Sequence, residues 1–315
     1  MTAKRGEENL SHHPVLYHEI IHAIAPTRGK KFVDGTLGAG GHAWGLLDES
    51  SPDGRLLGLD VDPQAITLAK ERLSYFGDRA IIVKASYTTL SAQLHQLGWE
   101  SVDGILLDLG ASSMQFDTPE RGFSFLHDGL LDMRFDPQAS MNAAELLNTW
   151  DEEAIADILY RFGEERRSRQ IAEAIIQARP LESTSQLADV VVQALKSPRR
   201  YRIHPATRTF QAIRIAVNRE LEALESVLPQ AIDALTPRGR LAVISFHSLE
   251  DRIVKHFFRR HSQDERDRTH PLAPVVRQAS IRLINRKPIT PDEEELLTNA
   301  RSRSAKLRVV EKVSQ

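Results

Sequence analysis

The chain has 315 residues, of which 41% are hydrophobic and 27% charged, a globular composition that excludes wholesale disorder and collagen-like repeats. The lack of cysteine excludes disulfides, thiolate zinc sites, iron–sulfur clusters and a thiol nucleophile; with a polar start from Met1 to Leu10 and no apolar run near the roughly 18 residues of a membrane crossing, it points to the cytoplasm. A net charge of −2 conceals an asymmetry: residues 1–195 carry 17 basic and 29 acidic side chains and residues 196–315 carry 24 and 14, a basic half suited to a polyanionic partner.

From Lys30 onward, short apolar runs alternate with helical patterns. Strands are predicted at Lys30–Asp34, Arg55–Asp60, Ala80–Ala85 and Val102–Leu109, with helices at Gly41–Ser50, Pro63–Tyr75 and Thr88–Leu97 between them. Runs such as LLGLD and GILLDLG are apolar on both faces, as a helix-covered parallel sheet requires, so the fold class is a doubly wound α/β fold. Ligands of such sheets sit at the carboxyl ends of the strands. The alternation then stops. Asn142 to Lys196 reads as consecutive helices, capped at Asn142 with Glu145 and at Thr149 with Glu152, and broken at Gly163 and Pro180. A long helical pattern from Phe210 to Leu235 contains Pro229, and a strand at Arg240–Phe246 resumes the sheet. We therefore expect an all-helical domain at 125–210 inserted between sheet-forming residues 1–124 and 211–315. A helix at Glu250–His261 and strands at Ile281–Asn285 and Lys306–Glu311 complete the pattern.

The sharpest local signal runs from Asp34 to His42, DGTLGAGGH, between the first strand and the first crossover helix. Glycines there let backbone approach a ligand, and amides at the helix start suit a negative group. Gly38 to Ala43 also fits the relaxed dinucleotide pattern, which by itself names no cofactor. Asp60 closes the second strand 20 residues after Gly40, where an acid accepts hydrogen bonds from ribose hydroxyls. Both NAD and S-adenosylmethionine carry that ribose. Asp34 and Asp108, acids at two further strand ends, favour the cationic donor, because they would repel a pyrophosphate.

The ordered motifs HPVL (13–16), DGTLGAGGH (34–42), GLDVDPQAI (58–66), DGILLDLGASSMQFD (103–117), ERGFSF (120–125), LDMRFDP (131–137), RIAVNREL (214–221) and SFHSLEDRIVKHFF (245–258) resemble the bacterial 16S ribosomal RNA cytosine-N4 methyltransferases of the MraW/RsmH family. The resemblance covers nearly the whole chain. It implies a class I S-adenosylmethionine-dependent methyltransferase domain, Rossmann-like, with an inserted helical domain for RNA recognition. The implied activity is methylation of the exocyclic amine of a cytidine in the decoding region of 16S ribosomal RNA, within the small ribosomal subunit. The cofactor contacts carried over are Gly40, Gly41, His42, Asp60, Tyr87 (Phe in many members), Asp108 and Gln115. Leu130 and Phe135 depart from the Pro and Met frequent in relatives. The Asp/Asn-Pro-Pro-aromatic tetrad of many amino-methyltransferases is replaced by Asp108-Leu109-Gly110-Ala111. Carbonyls of Gly110 and Ala111 and a ring from Phe116, Phe123 or Phe125 are the substitutes considered for gripping the target base, and no catalytic base is named.

RNA-facing candidates lie in the acid-free stretch from Lys196 to Arg214, namely Arg199, Arg200, Tyr201, Arg202 and Arg208, where arginines suit phosphates and Tyr201 and Phe210 suit stacking. His18-Glu19-Ile20-Ile21-His22 matches H-E-x-x-H, but Arg28 stands at the third-ligand spacing, so these are read as surface or cleft histidines and no metal site is expected. His247 either faces the ligand end of its strand or caps the next helix. A noncatalytic RNA-binding ribosome assembly factor and a nicotinamide oxidoreductase are the alternative readings, and oligomeric state is left open.

Overall fold

The computed structural model describes residues 14–195, 204–266 and 275–314. Two compact units divide the chain, one formed by Met1–Gly110 with Ala223–Gln315 and the other by Ala111–Glu222, limits that differ from the 125–210 read from the sequence.

The first unit begins with helix α1 (Tyr17–Ile24), then alternates β1 (Lys31–Asp34), α2 (Gly41–Glu49), β2 (Arg55–Asp60), α3 (Pro63–Leu73), β3 (Ala80–Lys84), α4 (Leu90–Gln96) and β4 (Val102–Asp108). Asp62 starts α3 by accepting from the Gln64 amide at 3.0 Å, with Pro63 in the first turn, where a missing N–H costs nothing. The second unit holds α5 (Ser113–Asp117), α6 (Ala143–Thr149), α7 (Glu152–Arg161), α8 (Ser168–Gln177), α9 (Thr184–Leu195) and α10 (Thr207–Asn218). Helix α11 (Glu220–Ala234) leads back, followed by β5 (Leu235–Ser245), α12 (Ser248–His261), the short pair β6 (Glu265–Arg266) and β7 (Val275–Arg277), β8 (Ile281–Leu283), α13 (Glu293–Thr298) and β9 (Lys306–Lys312).

The seven-stranded sheet has the order β3-β2-β1-β4-β5-β9-β8. Its first five strands are parallel, and β9 runs antiparallel to both β5 and β8. Alternation along the strands sends side chains to two cores. Ile105, Leu107, Leu241 and Val243 pack with Leu94 of α4, Leu228 of α11 and Phe258 of α12, whereas Leu106, Ala242 and Ile244 pack with Ile20 of α1, Leu46 of α2 and Ala69 of α3. Burying a Leu or Ile of this kind is worth roughly 1.5–3 kcal/mol, so a one-residue slip of β4 or β5 would lose several such increments. The second unit has its own core, including Leu146, Leu159, Ile171, Leu187 and Ile213.

Two local expectations are corrected. The long pattern expected from Phe210 to Leu235 is two helices, because Arg219 adopts φ +51° and closes α10, while the Asn218 side-chain amide bonds Arg214 O at 2.9 Å and Met133 O at 2.7 Å. Helix α7 is capped not by Thr149 but by Asp151, whose carboxylate accepts from the Ala154 amide at 2.7 Å; the Thr149 hydroxyl donates back to Glu145 O at 2.8 Å. Asn142 caps α6 as expected, accepting from the Glu145 amide at 2.8 Å.

Candidate active site

Strands β1 and β4 are neighbours at the point where the sheet order reverses, which is where doubly wound folds bind ligands. Asp34 ends β1, Asp108 ends β4 and Asp60 ends β2, so three carboxylates share one edge of the sheet. Thr36 ties two of them together: its amide donates to the Asp34 carboxylate at 3.2 Å, and its hydroxyl oxygen accepts from the Asp108 amide at 2.6 Å. Asp60 accepts from the Gly38 amide at 2.8 Å and from the Asp62 amide at 2.8 Å, which locks the glycine elbow onto the end of β2.

The elbow needs its glycines for geometric reasons. Gly40 sits at φ +79°, a left-handed conformation costly for residues with a Cβ, and an added Cβ would lie 3.2 Å from the Leu73 side chain. A Cβ on Gly41 would lie 2.4 Å from Pro14 Cγ. The segment before α1 thus packs directly on the elbow, and it also fixes His42, whose Nε2 lies 3.0 Å from Val15 O. A carbonyl only accepts, so Nε2 carries the hydrogen and Nδ1 is left facing Asp108 Oδ2 at 3.7 Å.

Electrostatically this edge is strained. Burial pushes Asp34 up to about 7, with repulsion from Asp60 adding to it and the Thr36 hydrogen bonds opposing it. Burial also raises Asp60, against the amide hydrogen bonds it accepts. Asp108 is raised well above the usual carboxylate range by burial and then by repulsion from Asp34 and Glu250; its Oδ1 has no hydrogen-bond partner among the described residues. Burial lowers His42 to about 4, so the His42–Asp108 approach is not an ion pair at neutral pH despite its 3.7 Å separation. A cation among these acids would reverse both causes of the upward shifts, desolvation of bare charge and mutual repulsion.

Of the remaining expected site residues, Tyr87 opens a 3-10 turn just after β3 and packs half-buried against the first unit's core. Gln115 is buried in the second unit, where its side-chain oxygen accepts from the Ser112 amide at 2.9 Å in a capping box that starts α5. Arg208 is exposed on α10, its guanidinium donating to Glu164 O at 3.4 Å and lying 3.8 Å from Glu165. Arg199, Arg200, Tyr201 and Arg202 lie outside the described residues.

Several aromatic and basic candidates are committed elsewhere. Phe210 is 5% exposed and packs edge-on against Phe125 at 4.9 Å in the helical core, so it offers no face for base stacking. Phe123 is buried and stacked on Phe135 at 5.6 Å, so the Phe135 departure supplies the ring that covers Phe123. Phe116 is half-buried and meets Phe123 at 6.2 Å. Arg214 makes a two-pronged pair with Glu220 at 2.8 and 3.0 Å. His247 caps α12: its Nδ1 accepts from the Glu250 amide at 3.4 Å, and Glu250 Oε2 accepts from the amides of Phe246 and His247. His247 Nε2 lies 3.2 Å from Glu250 Oε1 but not in hydrogen-bonding alignment. His18 and His22 are exposed on α1.

A parallel 3-2-1-4-5 sheet closed by a reversed strand inserted before the last one, with an acid at each of three adjacent strand ends and a glycine elbow, defines a class I S-adenosylmethionine-dependent methyltransferase, and S-adenosylmethionine is its cofactor. The chain belongs to the MraW methylase family, whose profile matches residues 9–313. It is 47% identical over 309 residues to the ribosomal RNA small subunit methyltransferase H of Dehalococcoides mccartyi, covering 96% of this chain and 87% of that protein. It is 48% identical over 308 residues to the protein of the same name from Syntrophobacter fumaroxidans, covering 96% and 97%. Among solved structures, an rRNA methylase from Streptococcus thermophilus aligns with a TM-score of 0.43 and 11% identity, covering 95% of each chain to within one per cent.

Proposed function

We propose that this protein methylates small-subunit ribosomal RNA, and specifically the N4 amine of a cytidine in the decoding region of 16S ribosomal RNA. The convergence of Asp34, Asp60 and Asp108 on a glycine elbow carries the reading, since one buried and two half-buried carboxylates at one sheet edge suit a positively charged donor and disfavour a dinucleotide pyrophosphate. Gly40 and Gly41 let the backbone approach the donor, Asp60 takes the ribose hydroxyls, and Tyr87 lies on the adenine side. Asp108, beside His42, takes the cationic end. Gln115 is assigned to the same set on the family resemblance and its place seven residues after Asp108. Bound there, S-adenosylmethionine supplies a methyl group already activated by its sulfonium, so the protein's task at cytidine N4 is alignment, worth on the order of 7–11 kcal/mol.

Asp108 Oδ1, which has no hydrogen-bond partner among the described residues, is an acceptor at this edge, and the Gly110 carbonyl follows two residues later at φ +91°. Both offer acceptors to a cationic or amine ligand without a dedicated base. RNA recognition is assigned to the helical part of the chain read from the sequence as 125–210, with Arg199, Arg200, Tyr201, Arg202 and Arg208 on phosphates and bases. The reading is supported by the relatives' names and by the basic second half of the sequence.

Calorimetry should show binding of S-adenosylmethionine and none of NAD. Tritium from the donor methyl group should enter 16S ribosomal RNA, and mass mapping should find one cytidine lacking a methyl group in cells without this protein. Failure to bind the donor with or without small subunits overturns the enzymatic reading, and transfer to a position other than N4 overturns the specificity.

A further inference from the structure

Helix α12 carries a charge pattern that the sheet-edge site does not use. Its inward side chains Leu249, Val254 and Phe258 are buried, and Ile253 and Phe257 pack half-buried against the same core. The opposite side presents Arg252, Lys255, His256, Arg259 and Arg260, all exposed. At 100° per residue these five fall within less than half of the helix circumference, on one stripe. Neither acid of the helix reaches that stripe. Glu250 is buried in the capping box, and Asp251 is held by Arg308 at 2.7 Å and Lys306 at 3.5 Å, which lowers its pKa against the opposing effect of burial. At the far end Arg260 lies 3.9 Å from Glu265.

We propose that the outward face of α12 is a second contact surface for the sugar–phosphate backbone of the ribosomal RNA, in addition to the 196–214 stretch; this rests on the rRNA reading above. From Arg252 to Arg259 the helix rises about 10 Å, enough to meet two or three successive phosphates of one strand. A basic amphipathic helix also suits an anionic membrane surface, but insertion needs a free apolar face, and the apolar face of α12 is occupied by the core. That leaves a charge-only surface, which matches a polyanion in water.

The test is the double variant Lys255→Glu/Arg259→Glu in the full chain, with Arg55→Glu/Lys70→Glu, exposed on β2 and α3, as the control of equal net charge. Binding to small subunits is measured across a salt series alongside steady-state methyl transfer, and donor affinity is the folding control. The double variant should weaken RNA binding about tenfold and flatten the log Kd against log salt slope by about two. Its KM for RNA should rise while kcat at saturating RNA and S-adenosylmethionine affinity stay at wild type, and Arg55→Glu/Lys70→Glu should change none of these. An unchanged slope and KM in the double variant, or equal losses in the control, overturn the proposal. So does loss of binding to phosphatidylglycerol vesicles with RNA binding intact. Wild-type protein that neither binds nor methylates small subunits instead removes the rRNA reading itself.

Discussion

Asp34 is a buried carboxyl to which the proposed function gives a task that requires it charged, and the two demands make pH a direct probe. With its pKa at about 7 in the folded chain and near 3.8 when unfolded, the folded state holds a proton between those values that the unfolded state has lost. Its contribution to stability is therefore greatest below about pH 4, declines as pH rises through 4–7, and levels off above 7, a swing on the order of 4 kcal/mol. The ligand-free protein should melt at a higher temperature at pH 5 than at pH 7.5 through this group, and Asp34→Asn should remove that component from the melting profile. Binding a cationic donor favours the ionised carboxylate, so affinity should tighten from pH 6 to pH 8. Calorimetry at pH 6 in buffers of different ionisation enthalpy should register proton release in wild type and less of it in Asp34→Asn. Three acids at strand ends were legible in sequence because strand ends are where apolar runs stop. His247 was not, since a side chain's choice between ligand and backbone amide depends on where Glu250 turns back.

The elements that frame the second unit's motifs are held by side chains that serve backbone. Asn218, the last residue of α10, accepts from the Phe135 amide at 2.7 Å and donates to the carbonyls of Met133 and Arg214, so it latches the 131–137 motif to the 214–221 motif. Met133 sits at φ +59° and is fully buried, a conformation that persists only while such a latch holds it. Asn218→Ala should destabilise by about 2–4 kcal/mol in denaturant titration, and hydrogen exchange should speed at residues 133–135 first. His247 offers a contrast between capping and chemistry. His247→Ala should cost about 1 kcal/mol, His247→Asn should restore most of it because Asn is a good cap, and kcat should match wild type in His247→Asn. Periodicity located α10 and α11 but merged them, because the pattern of buried positions continues through Arg219 while the backbone does not. The limits of the first four strands came out within a residue of those expected. Strand β5 begins five residues earlier than Arg240 because pairing of Leu235 with Val102 resumes before a bulge, a register feature with no hydrophobic signature.

At the scale of the whole molecule, the two faces of the sheet and the helical unit each have a core of their own. No helix among the described residues is long and apolar enough to cross a membrane. A donor held at the ends of β1, β2 and β4 should stabilise the unit that contains them: at a hundred times its Kd, S-adenosylmethionine should add about 2.7 kcal/mol. Hydrogen exchange should show that gain at residues 34–42, 58–62 and 106–110, and uniform protection of residues 143–195 alone would contradict it. The position of β9 between β5 and β8 was not legible, since a polar–apolar pattern reports which faces are covered and not which strand lies beside which. One pairing has a bearing on how the molecule comes into being. Strand β4 ends at Asp108 and its neighbour β5 starts at Leu235, with the complete second unit between them. During synthesis the half-built sheet must wait with an open edge at β4 while a whole helical module emerges from the translating ribosome. At ordinary elongation rates of 5–20 residues per second that delay lasts several seconds or more, and it makes the growing chain a natural client for chaperones before it can serve any ribosomal substrate.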